Sequence, residues 1–520
     1  MELKRVLFSL LVSLWMCEGY KILAVFPLAS KSHGILGENM IKHLLDAGHE
    51  VTYITPYIDE TKAHPNLHLV DVSPNKDILK DVKLDLRLIL DKKLDVGDNL
   101  MVFNLMNILV SSTLGYPTVQ ALMKNPNQQF DVIIAEYMFS NLYSALPAVF
   151  QCPLIWFSTI EPHWMTMNLV DGPLNPAYSC HYLHACVAPY SFKERVFELF
   201  TQIRELMRDN CLYSKKEEEV YRKLLVPIIE EQGRPVPSYE ELKYNGSLVL
   251  SNSQVAIGDA VPLPQNYQHI GGFHLDDDVK PLPENLKKIM DGAKNGVIFF
   301  SMGSNLNSTD FPDSMLQGIL KTFGDLKQTV IWKFERDLPD LPKNVHIIRW
   351  APQQSILAHP NLVLFVTHAG LLSITEAIHF GVPLIAIPVF GDQFLNAVRA
   401  DQKGFAIHVP LEYSLPDDLK VALNEVLSNP KYAAKAKEIS TAYHDSPMKP
   451  KEALNFWVQH VVRTRGAPHL RSIALRLPLY QRLYLDLLAI VVSAFILLIL
   501  FISYIICKVT GKKNVKVKTN

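Results

Sequence analysis

Nothing in the charge of this chain singles out a polyanionic partner. Its 51 Lys and Arg against 52 Asp and Glu leave a formal net charge of -1 over 520 residues. Nucleic-acid binding needs a clustered positive field, and the one basic cluster here lies at the extreme C-terminus. Cysteine is scarce as well, with six residues, no CxxC pair and no His/Cys spacing of the kind that holds zinc. Short internal repeats and low-complexity tracts are absent, so a repeat array is excluded. Charged residues make up only 20% against 48% hydrophobic, a balance that excludes disorder over most of the length. The length suits two or three domains.

Long apolar runs are confined to the two ends. Residues 6–17 (VLFSLLVSLWMC) follow Lys4 and Arg5 and are too short to span a bilayer. With small residues at Cys17 and Gly19, this reads as a signal peptide over residues 1–19, cleaved before Tyr20. Residues 487–507 are uncharged, and about 20 residues at 1.5 Å each cover a hydrocarbon core of roughly 30 Å. The tail 508–520 carries Lys508, Lys512, Lys513, Lys516 and Lys518 with no acid. The positive-inside rule places it in the cytosol and the bulk of the chain on the other side, a single-pass type I topology. Lysines third and fifth from the end resemble an ER-retrieval signal. The sequons Asn245-Gly246-Ser247 and Asn307-Ser308-Thr309 agree with a lumenal compartment. There Cys152, Cys180, Cys186 and Cys211 allow three pairings.

Between the ends the pattern is strand-helix alternation. Residues 21–26 form an unalternating apolar strand, a helical stretch runs over 36–45, and a second strand covers 50–55. Apolar strands without alternation imply a parallel sheet covered on both faces. Further strands are expected at 131–135, 154–158 and 247–251, with long helices over 191–233. Breakers cluster at 262–283, so a linker is placed at 271–289. It separates an N-terminal domain, 20–270, from a C-terminal one, 290–466, followed by a juxtamembrane segment, 467–486. The run Asp276-Asp277-Asp278 could hold a divalent cation, but it follows no strand and reads as a solvated linker. Strands resume at 296–301, 329–332, 345–348, 362–366 and 383–388. The class expected is α/β, two Rossmann-like doubly wound domains facing a cleft, plus a C-terminal transmembrane helix.

The segment 365–393, FVTHAGLLSITEAIHFGVPLIAIPVFGDQ, carries the most chemistry. A strand ends at Thr367-His368, Ala369-Gly370 turn, and a helix follows from about Leu371. A helix N-terminus offers free N–H groups and partial positive charge to a phosphate. Ser373 and Glu376 share a face of that helix, and Asp392-Gln393 follow the next strand. Ligands of such sheets bind at the carboxyl ends of the strands.

This segment resembles the signature of the UDP-glycosyltransferases, the GT-B enzymes that include the UDP-glucuronosyltransferases and their membrane-bound arthropod relatives. Trp350-Ala351-Pro352-Gln353-Gln354 resembles the family's WxPQ, and Ser301-Met302-Gly303-Ser304 its S-x-G-S loop. The resemblance implies that Trp350 stacks on uracil and Gln353 bonds its edge. It implies that His368, with Ser301, Gly303, Ser304 and the N–H groups near Gly370, holds the diphosphate. Glu376 takes the ribose, and Asp392 and Gln393 the sugar hydroxyls. Two departures stand out. Leu372 replaces a frequent Asn, with Ser373 as a substitute donor, and Lys333 replaces an arginine, keeping charge but losing a bidentate fork.

The family's FPxxSxxH context corresponds to residues 26–33, which assigns His33 as the catalytic base. An imidazole suits proton removal from a hydroxyl near neutral pH. The family's orienting Asp aligns with Glu136. Alternation puts Asp131 on the opposite face, so Asp131 cannot substitute. The expected function is inverting transfer of a hexose, glucose before glucuronate, from a UDP-sugar donor to a small lipophilic acceptor at the ER membrane. No metal, no cofactor and no nucleic acid are expected, and a homo-oligomer is compatible. The acceptor site is sought between residues 57 and 200, where 101–110 is rich in Leu, Met and Phe. Glu136, Leu372 and Lys333 keep alive a non-catalytic receptor-like binder, and a glycolipid-making transferase is the third reading.

Overall fold

The computed structural model describes residues 19–80, 86–93, 99–276, 278–304 and 310–511. The signal segment before Gly19, Asp277, the Asn307 sequon and the tail lysines from Lys512 onward lie outside the described residues. Strands β1 (Lys21–Val25), β2 (Glu50–Thr55), β3 (Leu67–Asp71), β4 (Val132–Glu136), β5 (Leu154–Ser158), β6 (Leu248–Ser251) and β7 (Tyr267–His269) form one parallel sheet in the order 3-2-1-4-5-6-7. Strands β8 (Val297–Ser301), β9 (Thr329–Lys333), β10 (Val345–Ile348), β11 (Leu362–Thr367), β12 (Leu384–Ala386) and β13 (Ala406–His408) form a second, in the order 10-9-8-11-12-13. Strands β1, β4, β5 and β8 are apolar through their centres because helices cover both faces, and that burial prevents alternation.

Eight helices carry the argument: α1 (Lys31–Asp46), α2 (Asn99–Gly115), α3 (Phe192–Arg208), α4 (Gln353–Leu357), α5 (Leu371–Phe380), α6 (Gln393–Gln402), α7 (Pro450–Arg463) and α8 (Leu485–Gly511). Helix α1 buries Leu36, Met40, Ile41 and Leu44 on one face against the first sheet, the spacing of a covering helix. In each sheet the strand order reverses once, between β1 and β4 and between β8 and β11. Val25 pairs with Ala135 in the first, and Thr367 with Ser301 in the second. Loops leaving the carboxyl ends of those strands diverge and open a crevice.

The domain division drawn from sequence needs correction in two places. Leu454, Val458 and Val461 of α7 pack with Ile22, Ala24 and Ile134, so α7 covers the first sheet although it lies in the segment 290–466. Three apolar side chains so buried contribute about 1.5–3 kcal/mol each. The linker is also shorter than 271–289. Phe273 packs against Phe157 in the first core, Leu275 lies in a core of the second sheet, and Glu284–Asp291 is already helix. Leu86 and Leu90, from the N-terminal half, are buried in the other core of the second sheet. Cys180 pairs with Cys186, while Cys152 and Cys211 are free thiols.

The last unit, Arg471–Asn520, holds α8, the one helix among the described residues that is long and apolar enough by itself to cross a membrane. It outruns the expected span of 487–507 at both ends.

Candidate active site

The first switch point sets His33 and Glu136 side by side. His33 sits in the first turn of α1, immediately after β1, and Glu136 is the last residue of β4. His33 Nδ1 lies 2.5 Å from Glu136 Oε1. Glu136 is wholly buried and its Oε2 has no hydrogen-bond partner among the described residues, whereas His33 keeps 20% of its side chain exposed. An ionised carboxylate can only accept, so Nδ1 carries the hydrogen and Nε2 keeps its lone pair. The longer Glu side chain thus reaches the ring without disturbing β4.

The second switch point builds an anion cradle. His368 follows β11 and its ring lies between two glycines. A Cβ on Gly303 would come within 2.6 Å of the ring, and one on Gly370 within 2.5 Å of Nε2. No side chain other than hydrogen fits either position without moving His368. Burial, reinforced by the Lys333 ammonium, pushes the His368 pKa down to about 4. The ring is therefore held in its neutral form near pH 7. Gly370 caps α5 without any side-chain hydrogen bond, leaving the first N–H groups of that helix for a ligand. Lys333 Nζ donates to the Gly303 carbonyl and to Glu335 Oε1, both at 2.7 Å, which braces the turn from beneath. Ser301 Oγ accepts the Gly303 N–H at 3.3 Å and steadies the same turn.

Beside the cradle, Trp350 is 62% exposed, an aromatic face presented to solvent. Gln353, at the start of α4, donates its amide to Ser373 Oγ at 3.1 Å and to Glu376 Oε2. The amide nitrogen is thus committed within the protein, and the carbonyl oxygen is the group left for a base. Ser373 accepts this bond and retains its own proton to give. Gln393 accepts the N–H groups of Val389 and Phe390 through its carbonyl at 2.9 and 3.2 Å, which fixes which end is NH2. Burial raises the Asp392 carboxyl above its usual range, against the Asn396 amide donating to Oδ2 at 2.8 Å.

One cleft of about 1120 Å³ gathers these groups. Its walls include His33, Ser301, Gly303, Ser304, Lys333, Trp350, Gln353, His368, Gly370, Ser373, Glu376, Asp392 and Gln393, with Glu136 directly behind His33. Residues 101–110 do not line it. Phe103, Met106, Leu109 and Val110 of α2 are core, and Met101 and Ile108 face solvent. Sequence reading missed His274, a buried cleft residue whose Nε2 lies 3.7 Å from Glu376 Oε1. Its signal was present in Gly271-Gly272-Phe273-His274, a compact turn that reads like a linker. Of the acidic run, Asp276 is engaged by Lys42 at 3.2 Å and Lys280 at 3.9 Å.

Two parallel doubly wound sheets with a cleft across both switch points define the GT-B class of glycosyltransferase. The profile of the family described as UDP-glucoronosyl and UDP-glucosyl transferase matches residues 21–520. The chain belongs to the UDP-glycosyltransferase family. It is 30% identical to UDP-glucosyltransferase 2 of Dactylopius coccus, over 99% of this chain and 98% of that one. It is likewise 30% identical to UDP-glucuronosyltransferase 2B15 of Rattus norvegicus, over 72% and 69%. Among solved structures, the glycotransferase of kitacinnamycin shares the fold with a TM-score of 0.56 at 20% identity, over 85% of this chain and 99% of that one. A UDP-glucosyltransferase from Polygonum tinctorium that glucosylates indoxyl gives a TM-score of 0.54 at 15% identity, over 86% and 99%. The protein is a UDP-glycosyltransferase whose C-terminal helix α8 has the length and apolar composition of a membrane span.

Proposed function

We propose that the enzyme transfers glucose from UDP-glucose to a hydroxyl of a small lipophilic acceptor, with inversion and without a covalent intermediate. The observation that carries this reading is the His33–Glu136 pair opening onto the same cleft as the anion cradle. His33 Nε2 takes the acceptor's proton as its oxygen bonds to the anomeric carbon. The bond from that carbon to the UDP oxygen breaks in the same step, and an α-linked donor yields the β-glycoside. Glu136 stabilises the imidazolium so formed. Trp350 and Gln353 take the uracil and Glu376 the ribose. Ser301, Gly303, Ser304, Ser373, His368 and the α5 N-terminus take the diphosphate, with Lys333 behind them. Asp392 and Gln393 take the sugar hydroxyls. The leaving diphosphate is met by these donors rather than by a metal ion.

Glucose is favoured over glucuronate by the cations of the cleft. Of the five lysines that line the cleft, Lys31 is paired with Glu60, Lys42 and Lys280 with Asp276, and Lys333 with Glu335, leaving the exposed Lys62 with no ion pair among the described residues, and no arginine is among the described lining residues. A sugar carboxylate beside Asp392 would meet like charge. The compartment we propose is the ER lumen, with α8 spanning the membrane and the lysine-rich tail cytosolic. The test is UDP release by microsomes bearing the protein or His33→Ala, with UDP-glucose or UDP-glucuronate and a panel of phenols. A loss of about 10²-fold or more in the variant is expected. Equal rates for the two proteins would refute His33 as base, and a preference for glucuronate would refute the donor.

A further inference from the structure

Helix α6 begins directly after Asp392 and opens on Gln393, the two residues proposed to hold the sugar hydroxyls. Its inner face belongs to the second domain. Ala397 and Ala400 lie in a core of the second sheet, and Asn396 donates to the Ala369 carbonyl at 3.3 Å. Its outer face is seated on other parts of the chain. Leu395, Arg399 and Gln402 follow the spacing of one helix face. Leu395 is buried against Cys180 and Tyr190, with Cys186 packed beside them. Gln402 donates its amide to the Ala188 carbonyl at 3.0 Å, and Arg399 Nε donates to Asp259 at 2.8 Å. The segment 180–190, which hangs from the first domain between β5 and α3, thus reaches across to the helix that carries the sugar groups.

That segment is itself fixed in two ways. The Cys180–Cys186 bond closes it into a ring, and Glu198 of α3 accepts the His181 N–H at 2.9 Å and pairs with His184 Nδ1 at 2.5 Å. The disulfide holds together the two cysteines that form the seat of Leu395. Without it the chain between them regains conformational freedom, and the seat loses its shape. We infer that the disulfide-closed segment 180–190 is a clasp that positions α6 for the sugar, with Leu395 as its positioning residue. The inference rests on the reading of Asp392 and Gln393 as the sugar-holding pair. The nucleotide groups lie on other elements, α4, α5 and the turn at Gly303, so the clasp governs the hold on the sugar and leaves UDP binding alone. A dithiol opens it by exchange: the bond between Cys180 and Cys186 breaks, both sulfurs become thiols with the protons of the dithiol, and the dithiol is oxidised to its own disulfide.

The test uses the full-length enzyme carrying Cys211→Ser, which removes the exposed free thiol. It is compared before and after dithiothreitol, with thiol titration to confirm that the bond has opened. Cys180→Ser with Cys186→Ser gives the open form permanently, and Leu395→Ala empties the seat. Each form is read by UDP release with UDP-glucose and a phenol, and by calorimetry with UDP alone. In all three, kcat/KM for UDP-glucose is expected to fall about tenfold or more, since misplacing a binding group by ~1 Å can cost ~10²-fold. The UDP Kd should hold within about twofold, reoxidation should restore the rate, and Leu395→Met, which refills the seat, should recover most of the loss. An unmoved kcat/KM once the thiols have appeared would overturn the inference. So would equal losses in turnover and in UDP binding, which would make the disulfide a general support of the fold. Asp392→Asn separates the clasp from the reading beneath it. No loss there refutes the sugar assignment and the inference with it, whereas a loss there beside no effect of reduction refutes the clasp alone.

Discussion

Replacing Glu136 with Gln isolates the charge from the shape. The carboxylate is buried at the end of β4, with His33 Nδ1 as the one partner of Oε1 and none for Oε2. Gln has the same volume and can still accept from Nδ1 through its carbonyl, so the ring stays oriented. Under the proposed role of His33 as base, what disappears is the attraction between the carboxylate and the imidazolium that forms as His33 takes the proton. Two unit charges about 4 Å apart at an effective dielectric near 20 attract by ~4 kcal/mol. His33 is partly open to the cleft, so about 3 kcal/mol is the expected loss, or ~10²-fold in kcat. Donor KM should hold within about twofold, because the pair does not touch the nucleotide groups, while the new amide NH2 takes the unpartnered buried place of Oε2 and costs about 1–3 kcal/mol of stability, read separately in the unfolding. The assay is steady-state UDP release with saturating UDP-glucose, alongside thermal unfolding. A variant that keeps kcat within about threefold would refute the charge-pair reasoning.

Three other changes probe the remaining parts. Trp350→Ala removes an exposed ring whose proposed stacking on a base would be worth about 1–3 kcal/mol. Donor KM should rise roughly 5- to 100-fold with unfolding unchanged, and an unmoved KM would remove Trp350 from the uracil site. Gly370→Ala sets a methyl 2.5 Å from His368 Nε2. Overpacking of about 1–3 kcal/mol should weaken UDP binding by tenfold or more, readable by calorimetry with UDP alone. Glu161, buried with Oε1 unpartnered, has its pKa raised by burial from 4.5 to about 7. A carboxyl raised in the folded state supports the fold while protonated, fully below about pH 4.5 and progressively less as pH rises through 7. Glu161→Gln mimics the protonated form. It should match the parent in denaturant unfolding at pH 4 and exceed it by about 3 kcal/mol at pH 8; equal stability at both pH values would deny the shift.

Much of the fold could be read from residues because parallel sheets leave a distinctive mark. Segments such as 21–25, 132–136 and 297–301 lack alternation, since both of their faces are covered. The cleft residues were readable for a related reason. A doubly wound sheet sends its ligands to strand ends, and His33, Glu136, Ser301 and His368 all sit at or just past strand ends bordering a switch point. Apolar periodicity, however, states that a face is covered without stating by what. Residues 450–463 read as amphipathic wherever they pack, and only the folded chain shows α7 returning to the first sheet. For the same reason residues 101–110 could be a pocket wall or core, and they are core.

Helix α3 shows the limit of periodicity more sharply. Its pattern is helical, and the usual rule of apolar side inward would bury Phe200 and expose Glu205. The reverse holds because the inward carboxylates are compensated, Glu205 by arginines of its own helix and Glu198 by groups from the loop closed by Cys180–Cys186. Burying an uncompensated carboxylate costs several kcal/mol, more than the gain from burying one phenyl ring. The orientation of α3 is therefore decided by where its charge partners lie, and the partners of Glu198 are fixed by tertiary structure, beyond the reach of any window of sequence. The apolar stripe of α3 is left outward by the same balance.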